Sequence, residues 1–179
     1  MRLFFALWPD DTVRAKLARW SRDFHDACGG RPTRPENMHI TLAFLGDVEE
    51  ARVADVERAA DSVAPVPVSL VLDQPGYWKH NRIAWAGASA VPRELEAFVA
   101  DLRGALLRAG IAFDDNKGFV SHVTLVRNAR PPRAMPELPP IEWRLDGFAL
   151  VQTVLLPSSS GGGSRYEIRR TWKAQSRSR

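Results

Sequence analysis

Hydrophobic residues follow two spacings along this chain, and each spacing predicts a different kind of element. Apolar residues at every third or fourth position predict helices over about residues 11–27, 49–63 and 92–109. Short runs of apolar and β-branched residues predict strands over residues 2–8, 37–45, 68–72, 82–87, 111–113, 119–127, 141–145, 147–156 and 166–172. Each half of the chain, about 1–90 and 91–179, then holds helix and strands. This argues for an internally duplicated α+β fold with mainly antiparallel sheets flanked by helices.

Prolines, glycines and polar runs mark the ends of these elements. Pro9 is expected to end the first strand, and Asp10 or Asp11 can cap the helix that follows. Gly46 is expected to break the strand that precedes it. Polar or Gly/Ser-rich segments predict irregular structure: a turn over residues 114–118, a flexible loop over 158–164 and a disordered tail over 176–179.

One tetrapeptide, H-x-T-L, occurs twice in strand context. Residues 37–46 read N-M-H-I-T-L-A-F-L-G, and residues 119–128 read F-V-S-H-V-T-L-V-R-N. Because side chains alternate along a strand, His39 shares a face with Thr41, and His122 shares a face with Thr124. A pseudo-twofold arrangement of the two halves would bring both strands together and face the histidines across one cleft.

A pair of facing imidazoles can act as acid and base at the same time near neutral pH. Such a pair suits the cleavage of a phosphodiester without a metal, because one histidine activates water and the other protonates the departing sugar oxygen. The threonine hydroxyls would donate hydrogen bonds to the non-bridging phosphoryl oxygens. A single H-x-T is more often structural, but its duplication on strands with an apolar back points to function.

Composition indicates one folded domain with no membrane segment. The chain has 179 residues, of which 45% are hydrophobic, and its apolar runs are short and interrupted by charge. The apolar start, M-R-L-F-F-A-L-W-P-D-D, is followed at once by acids, so we interpret it as a strand and not as a signal peptide. The lone Cys28 excludes an internal disulfide, suits a reducing cytosol and is given no catalytic role.

The expected partners follow from charge and from the ligand types present. The net charge of +4 favours polyanionic partners, although a solvated basic surface would give the same value. Neither a Cys/His cluster nor a carboxylate-rich loop suggests a metal. We therefore expect a cytoplasmic monomer that needs no metal or cofactor and has a polyanion as its partner.

The chain is identified as a member of the 2H phosphoesterase superfamily and resembles the RNA 2′,3′-cyclic phosphodiesterases, also called 2′-5′ RNA ligases. Besides the two motif blocks, R-L-F-F-A-L-W-P, R-I-A-W and F-A-L-V-Q-T-V-L with Y-E-I resemble family strands, so the resemblance covers nearly the whole chain. It implies a bilobal fold with a central cleft, and hydrolysis of a terminal 2′,3′-cyclic phosphate to a 2′-phosphomonoester. By position it implies His39 as proton donor, His122 as proton acceptor, and Thr41 and Thr124 as phosphate ligands.

Two positions depart from the family pattern. Ala43 stands where the family often has lysine, which would remove a positive charge near the cleft. Ser121 stands where the family often has proline, which alters only the entry to the second motif strand.

Three further residues are candidates for substrate binding. Arg127 matches the family's arginine after the second motif, but strict alternation places it on the face away from His122. A structural salt bridge and a phosphate contact are therefore both open for it. Trp78 and Trp85 can stack a base, and buried aromatic packing is the alternative for each.

Other functions are compatible with the same motifs. The enzyme could act on a small cyclic nucleotide or on ADP-ribose cyclic phosphate, or it could join RNA ends by the reverse reaction. A non-catalytic nucleotide- or RNA-binding module would keep the cleft and lose the chemistry. The intact histidine and threonine in both motif copies argue against that loss.

Overall fold

Residues 1–65, 67–114, 118–156 and 163–174 are described by a computed structural model of the chain. Within them the structure contains three α-helices, α1 (Asp11–Cys28), α2 (Val53–Asp61) and α3 (Arg93–Arg108). The strands are β1 (Arg2–Leu7), β2 (Arg31–Pro32), β3 (Ile40–Asp47), β4 (Val68–Leu72), β5 (Gln74–Trp78), β6 (Ile83–Gly87), β7 (His122–Arg127), β8 (Ile141–Leu145), β9 (Gly147–Leu155) and β10 (Ser164–Lys173). The predicted α+β class is confirmed.

Helix α1 follows from its sequence at both ends and along its apolar stripe. The Asp10 carboxylate accepts a hydrogen bond from the Val13 N–H at 2.8 Å, which satisfies one free amide of the first turn. Gly29, with φ of 61°, ends the helix. Trp20 and Phe24 are fully buried, so the stripe is core and not a base-stacking surface.

One large sheet organises the molecule. Its strand order is β10-β9-β1-β3-β7-β6-β5, with β2 paired to the outer part of β7, and all of its pairs are antiparallel. Strands β4 and β8 form a separate two-stranded sheet. The two motif strands, β3 and β7, are neighbours at the centre of the large sheet. The fold thus brings together two histidines that are 83 residues apart in sequence (122 − 39).

The two sides of this sheet differ. Buried residues of all three helices share one core with Leu3, Phe5, Ile40 and Val123, and we call that side the helix face. Residues at alternate positions, such as Phe4, point to the other side, where the packed aromatic and aliphatic groups are fewer. Because the motif histidines lie on that second side, as shown below, we call it the histidine face.

Both motif strands contain a β-bulge at the same place. In β3, Ala6 pairs with Thr41 and Phe5 with Ala43, so Leu42 is an extra residue. In β7, Trp85 pairs with Thr124 and Ala84 with Val126, so Leu125 is an extra residue. The leucine of each H-x-T-L is therefore the inserted residue of a bulge, and it reverses the alternation of the residues that follow.

Three expectations about the elements were wrong. Residues 111–113 form no strand, although Ile111 is buried in the core. Strand β5 was not predicted. We had expected residues 68–72 and 82–87 to approach the turn at residues 79–81 as one hairpin, but β4 pairs with β8, and β6 pairs with β5. Gly46 does not break β3, which continues to Asp47.

The division of the sequence into halves 1–90 and 91–179 is not reproduced by the sheet. Strands β9 and β10 from the second half pair beside β1, while β5 and β6 from the first half pair beside β7. Three predicted irregular segments fall on residues that the structure does not describe. These are most of the polar turn at 114–118, most of the Gly/Ser loop at 158–164, and all of the tail at 176–179. No helix in the described part of the chain is both long enough and apolar enough to span a bilayer.

Candidate active site

The two H-x-T triplets meet at their middle residues. Ile40 of β3 pairs with Val123 of β7, and both are fully buried in the core of the helix face. Their neighbours in each strand therefore point to the opposite side. His39, Thr41, His122 and Thr124 all lie on the histidine face. The antiparallel register sets each histidine beside the threonine of the other strand, so the two imidazoles are diagonal neighbours.

The same backbone hydrogen bond holds both imidazoles. His39 Nδ1 is 2.7 Å from the carbonyl oxygen of Asn37, and His122 Nδ1 is 2.9 Å from that of Val120. A carbonyl oxygen can only accept, so Nδ1–H is the donor in each ring. Each Nε2 is then the atom that can take up or release a proton. In the resting site, His39 Nε2 is 3.1 Å from the Thr41 hydroxyl, which can donate to it.

Three aromatic rings surround His39. Trp8 stacks on the imidazole with an interplanar angle of 5° and a centroid distance of 5.4 Å. The Phe4 ring lies 4.8 Å away, and Tyr166 meets the imidazole edge-on at 5.2 Å. The pKa of His39 is lowered to about 4. Burial among these groups is the largest cause, the charges of His122 and Arg127 act in the same direction, and the Asn37 carbonyl opposes them.

These aromatic residues were missed by the sequence analysis. Strand β1 reads R-L-F-F-A-L and has apolar residues on both of its faces. Trp8 lies two alternations after Phe4 and therefore shares its face. A strand that is apolar on both sides predicts a partner on both faces. That signal could have placed Phe4 and Trp8 beside the motif, whereas nothing in the sequence indicates that Tyr166 of β10 reaches across β9.

His122 has a different surrounding. Trp78 meets its imidazole edge-on, with ring centroids 4.6 Å apart. Burial is the first cause that lowers the pKa of His122, and Arg127 lowers it as well, while the hydrogen bond to the Val120 carbonyl raises it. Both histidines are therefore biased toward the neutral form in the unliganded protein.

Trp78 and Trp85 both belong to the histidine face. Trp85 pairs with Thr124 across β6 and β7, and the two indoles are 5.2 Å apart. A Cβ at Gly76 would lie 2.0 Å from the Trp85 indole, and one at Gly87 would lie 2.7 Å from it. The two glycines therefore make the space in which this ring sits. Trp85 Nε1 is buried and has no hydrogen-bond partner among the described residues.

Arg127 is on the histidine face, contrary to the strict alternation used to place it. The bulge at Leu125 puts two successive residues, Leu125 and Val126, into the core of the helix face. Arg127 consequently points to the other side, and its charge lowers the pKa of both His39 and His122. No carboxylate of the described residues lies within ion-pair distance of its guanidinium, which favours the phosphate contact over the structural salt bridge.

The two departures from the family pattern have little effect at this site. Ala43 is 1% exposed and packs in the core of the helix face, because it follows the bulge in β3. The expectation that it removes a charge beside the histidines was therefore wrong. Ser121 is buried at the entry to β7. Cys28 is buried on α1, where its Sγ–H donates to the Phe24 carbonyl and burial raises the pKa of the thiol.

A family model and several known proteins match this chain. The family model described as LigT like Phosphoesterase matches residues 7–85, which include the first motif. The RNA 2′,3′-cyclic phosphodiesterase of Escherichia coli (strain K12) is 31% identical, over 96% of this chain and 95% of that protein. The chain belongs to the LigT-like phosphoesterase family. An enzyme of the same name from Thermus thermophilus is 33% identical, over 88% of this chain and 84% of its own length.

Solved structures of LigT-like phosphoesterases have the same fold. The crystal structure of E. coli LigT in apo form matches with a TM-score of 0.83 and 27% identity, and 98% of each chain is covered. E. coli LigT complexed with 3′-AMP matches with a TM-score of 0.83 and 28% identity, again over 98% of each chain. The overall fold of this chain is therefore the one found in these solved structures.

Proposed function

We propose that this protein hydrolyses the 2′,3′-cyclic phosphate at the end of an RNA chain to a 2′-phosphomonoester. The observation that carries the proposal is the pair of motif histidines on one face of the sheet, each with Nδ1–H bound to a carbonyl and Nε2 available. The E. coli and Thermus relatives, named RNA 2′,3′-cyclic phosphodiesterases, support the substrate class. The proposed reaction uses only the side chains of this site.

The proposed reaction is an in-line displacement at phosphorus. His122 Nε2 takes a proton from water as the water oxygen forms a bond to phosphorus. On the opposite side the bond from phosphorus to the 3′ oxygen breaks, and His39 Nε2–H protonates that oxygen. One proton enters His122 and one leaves His39, so the pair is restored by exchange with solvent.

Charge on the phosphoryl oxygens is stabilised by groups that need little movement. The Thr41 hydroxyl can leave His39 Nε2 for a phosphoryl oxygen, and Thr124 occupies the equivalent position on β7. Arg127 supplies a positive charge on the same face. Fixed donors aimed at developing charge are among the largest contributions to catalysis.

Protonation of the donor depends on the substrate in this proposal. With the pKa of His39 at about 4, the unliganded site is neutral near pH 7. The cyclic phosphate brings a negative charge between the imidazoles and favours the charged form of each. The proton that His39 donates is therefore taken up together with the substrate.

The test is incubation of the purified protein with an oligoribonucleotide that ends in a 2′,3′-cyclic phosphate, in the presence of EDTA. We expect hydrolysis that chelation does not affect and a product whose phosphate is on the 2′ oxygen by phosphorus NMR. His39→Ala and His122→Ala should each lower turnover by roughly 10²–10⁴-fold, the usual range for a positioned acid or base. RNA binding should weaken much less, because phosphate contacts come mainly from other groups.

Three outcomes count against the proposal. Loss of activity with EDTA, restored by a divalent ion, would contradict the metal-free mechanism. A 3′-phosphate product would exchange the roles of His39 and His122. Equal loss of binding and turnover in both histidine variants would favour a binding module. His25→Ala is the matched control for turnover of a cyclic mononucleotide, because His25 is exposed on α1 and does not belong to the motif strands.

The setting of the activity is also proposed. We infer a monomer that acts in the cytosol without cofactor or metal. The single buried cysteine is compatible with a reducing compartment. Both histidines and both threonines of the site come from one chain. Size-exclusion chromatography with light scattering at the assay concentration tests the monomer.

A further inference from the structure

Five arginines without carboxylate partners gather at the end of β7. They are Arg31, Arg82, Arg127, Arg130 and Arg133, all of them exposed. Among the described residues, no Asp or Glu lies within ion-pair distance of any of the five. Only some of the arginines elsewhere in the described chain have such partners, for example Arg52 on Asp55 and Arg170 on Asp61, so what distinguishes the five is that they lie together. We call the five residues the arginine cluster.

Backbone contacts bring most of the cluster together. Arg31 of β2 pairs directly with Arg127 of β7. The Arg82 guanidinium donates to the carbonyl oxygens of Asn128, at 3.2 Å, and Ala129, at 3.4 Å. The Arg130 N–H donates to the Cys28 carbonyl at 2.8 Å. Arg133 lines a surface groove together with Arg130.

Gly30 allows β2 to approach β7 closely. Its φ is +89°, a conformation that residues with a side chain rarely adopt. A Cβ at this position would lie 2.6 Å from the Arg127 carbonyl oxygen and 2.9 Å from a Val126 methyl group. The glycine therefore lets β2 pair closely with β7 and places Arg31 opposite Arg127.

Stability does not account for the arrangement. Like charges directly opposite each other on paired strands are destabilising. Here two arginines are paired in this way, and three more belong to the same end of β7. Asp26 lines the groove of Arg130 and Arg133, but no carboxylate of the described residues lies within ion-pair distance of any of the five. Arginine binds phosphate through two parallel hydrogen bonds, and an exposed group of arginines is the usual footprint of a polyanion.

We propose that the arginine cluster binds the backbone phosphates of the RNA strand that leads to the terminal cyclic phosphate. This rests on the proposed function, since Arg127 joins the cluster to the histidine pair. A cyclic mononucleotide occupies only the histidines and Arg127, whereas an oligonucleotide also reaches Arg31 and Arg130. The cluster therefore makes the protein selective for oligonucleotide ends over free cyclic nucleotides.

The experiment compares two substrates in three proteins. The kcat/KM of the full chain is measured on 2′,3′-cyclic AMP and on a short oligoribonucleotide that ends in the same cyclic phosphate. The variants are the double change Arg31→Gln/Arg130→Gln and the control Arg144→Gln. Arg144 is exposed on β8, in the separate two-stranded sheet. Melting temperatures check that both variants fold.

For the double variant we expect kcat/KM on the oligonucleotide to fall about tenfold or more and kcat/KM on cyclic AMP to stay unchanged. The slope of log(kcat/KM) against log[salt] on the oligonucleotide should become shallower by roughly 1.4, about 0.7 for each single-strand phosphate that the variant no longer neutralises. Arg144→Gln should change neither quantity. Equal losses on both substrates, or no loss beyond the control, would overturn the proposal.

Binding separates this proposal from the proposed function. Fluorescence anisotropy measures the affinity for an oligoribonucleotide that ends in a 2′-phosphate, which needs no turnover. If the wild-type protein hydrolyses neither substrate, the proposed function fails, and weaker RNA binding by the double variant alone would still support the cluster. If the wild-type protein hydrolyses both substrates with equal efficiency and binding is unchanged in the double variant, the cluster proposal fails and the proposed function stands.

Discussion

His39 and His122 have the same local hydrogen bond but different neighbours, and the difference sets their proton affinities. Each donates Nδ1–H to the carbonyl two residues before it. Three rings enclose His39, whereas Trp78 meets His122 edge-on. Burial lowers the pKa of both residues and brings that of His39 to about 4. From the sequence alone, two histidines with ordinary pKa predict a bell-shaped rate profile around pH 6–7. Because the pKa of each histidine is lowered, we expect the profile at lower pH.

We expect the bell-shaped profile of kcat/KM to have both limbs below about pH 6.5, the usual histidine pKa. This profile reports the free protein, in which burial favours the neutral imidazoles, so the state with one proton on the pair is populated only at acidic pH. The limbs of the kcat profile should lie at higher pH, because bound phosphate favours the charged form. The limbs belong to the pair and not to single residues.

Trp8→Leu provides the control for this explanation. Removing the stacked indole admits water to His39, which should raise the pKa of His39 toward its ordinary value and shift a limb of the kcat/KM profile to higher pH. NMR titration of the His39 ring measures the same shift directly. A kcat/KM maximum above pH 7 in the wild-type protein, or an unmoved His39 titration in the variant, would contradict burial as the cause.

The β5–β6 hairpin acts as an element that positions Trp85. Gly76 and Gly87 leave the space that the indole fills, and β6 pairs with β7 at Thr124 and His122. The position of the indole on the histidine face therefore depends on two residues that have no side chain. It also depends on the register between strands, which the bulge at Leu125 shifts by one residue.

Gly76→Ala should destabilise the protein by about 1–3 kcal/mol, the usual cost of overpacking a filled site, because the new Cβ would meet the Trp85 indole. The displaced indole should also lower kcat/KM. Gly104→Ala is the matched control in α3, where the new Cβ meets only the end of the Arg108 side chain. That change should stabilise the helix by about 0.5–1 kcal/mol. Urea unfolding measures both changes, and equal effects in the two variants would refute the role of Gly76.

Whether an element could be predicted from the sequence depended on its position in the fold. Helices α1 and α3 were predicted because each buries one stripe against the sheet. Strand β5 was missed because it begins Q-P-G and is an edge strand, where proline and glycine are tolerated. Residues 111–113 have an apolar alternation, which here reflects the packing of a loop. Arg127 was placed on the wrong face because a bulge leaves no mark in the hydrophobic pattern.

The whole molecule is held together by strands that cross between the halves of the sequence. Strand β10, near the end of the described chain, forms an edge of the sheet and reaches α2. The Asp61 carboxylate accepts from Trp172 Nε1 at 2.7 Å and from Arg170 Nη2 at 2.6 Å. The Trp172 hydrogen bond, followed by Arg170, lowers the pKa of Asp61. Proton binding at this exposed carboxylate is therefore linked to folding.

Asp61→Asn should lower the urea midpoint of unfolding at pH 7, and this deficit should shrink as the pH falls below 3.8. The folded pKa lies below the unfolded value of 3.8, so the stabilisation is present above that value and is lost as pH falls through the folded pKa. Asp101→Asn, at an exposed position of α3, is the control and should leave the midpoint unchanged. A deficit that persists undiminished at pH 3 would show that the charge of Asp61 is not the cause.

The duplicated bulge bears on how the site could distinguish the two ester oxygens of a cyclic phosphate. Two identical H-x-T strands crossing at Ile40 and Val123 would present the same groups to a ring phosphate in either of two orientations, and could not distinguish its two ester oxygens. After the bulge the copies differ, because β3 continues with Phe44, covered by Arg2 at 5.0 Å, and β7 continues with Arg127. In the proposed reaction, the two ester oxygens can be distinguished only by groups outside the repeat, which are Arg127 and the different rings around His39 and His122.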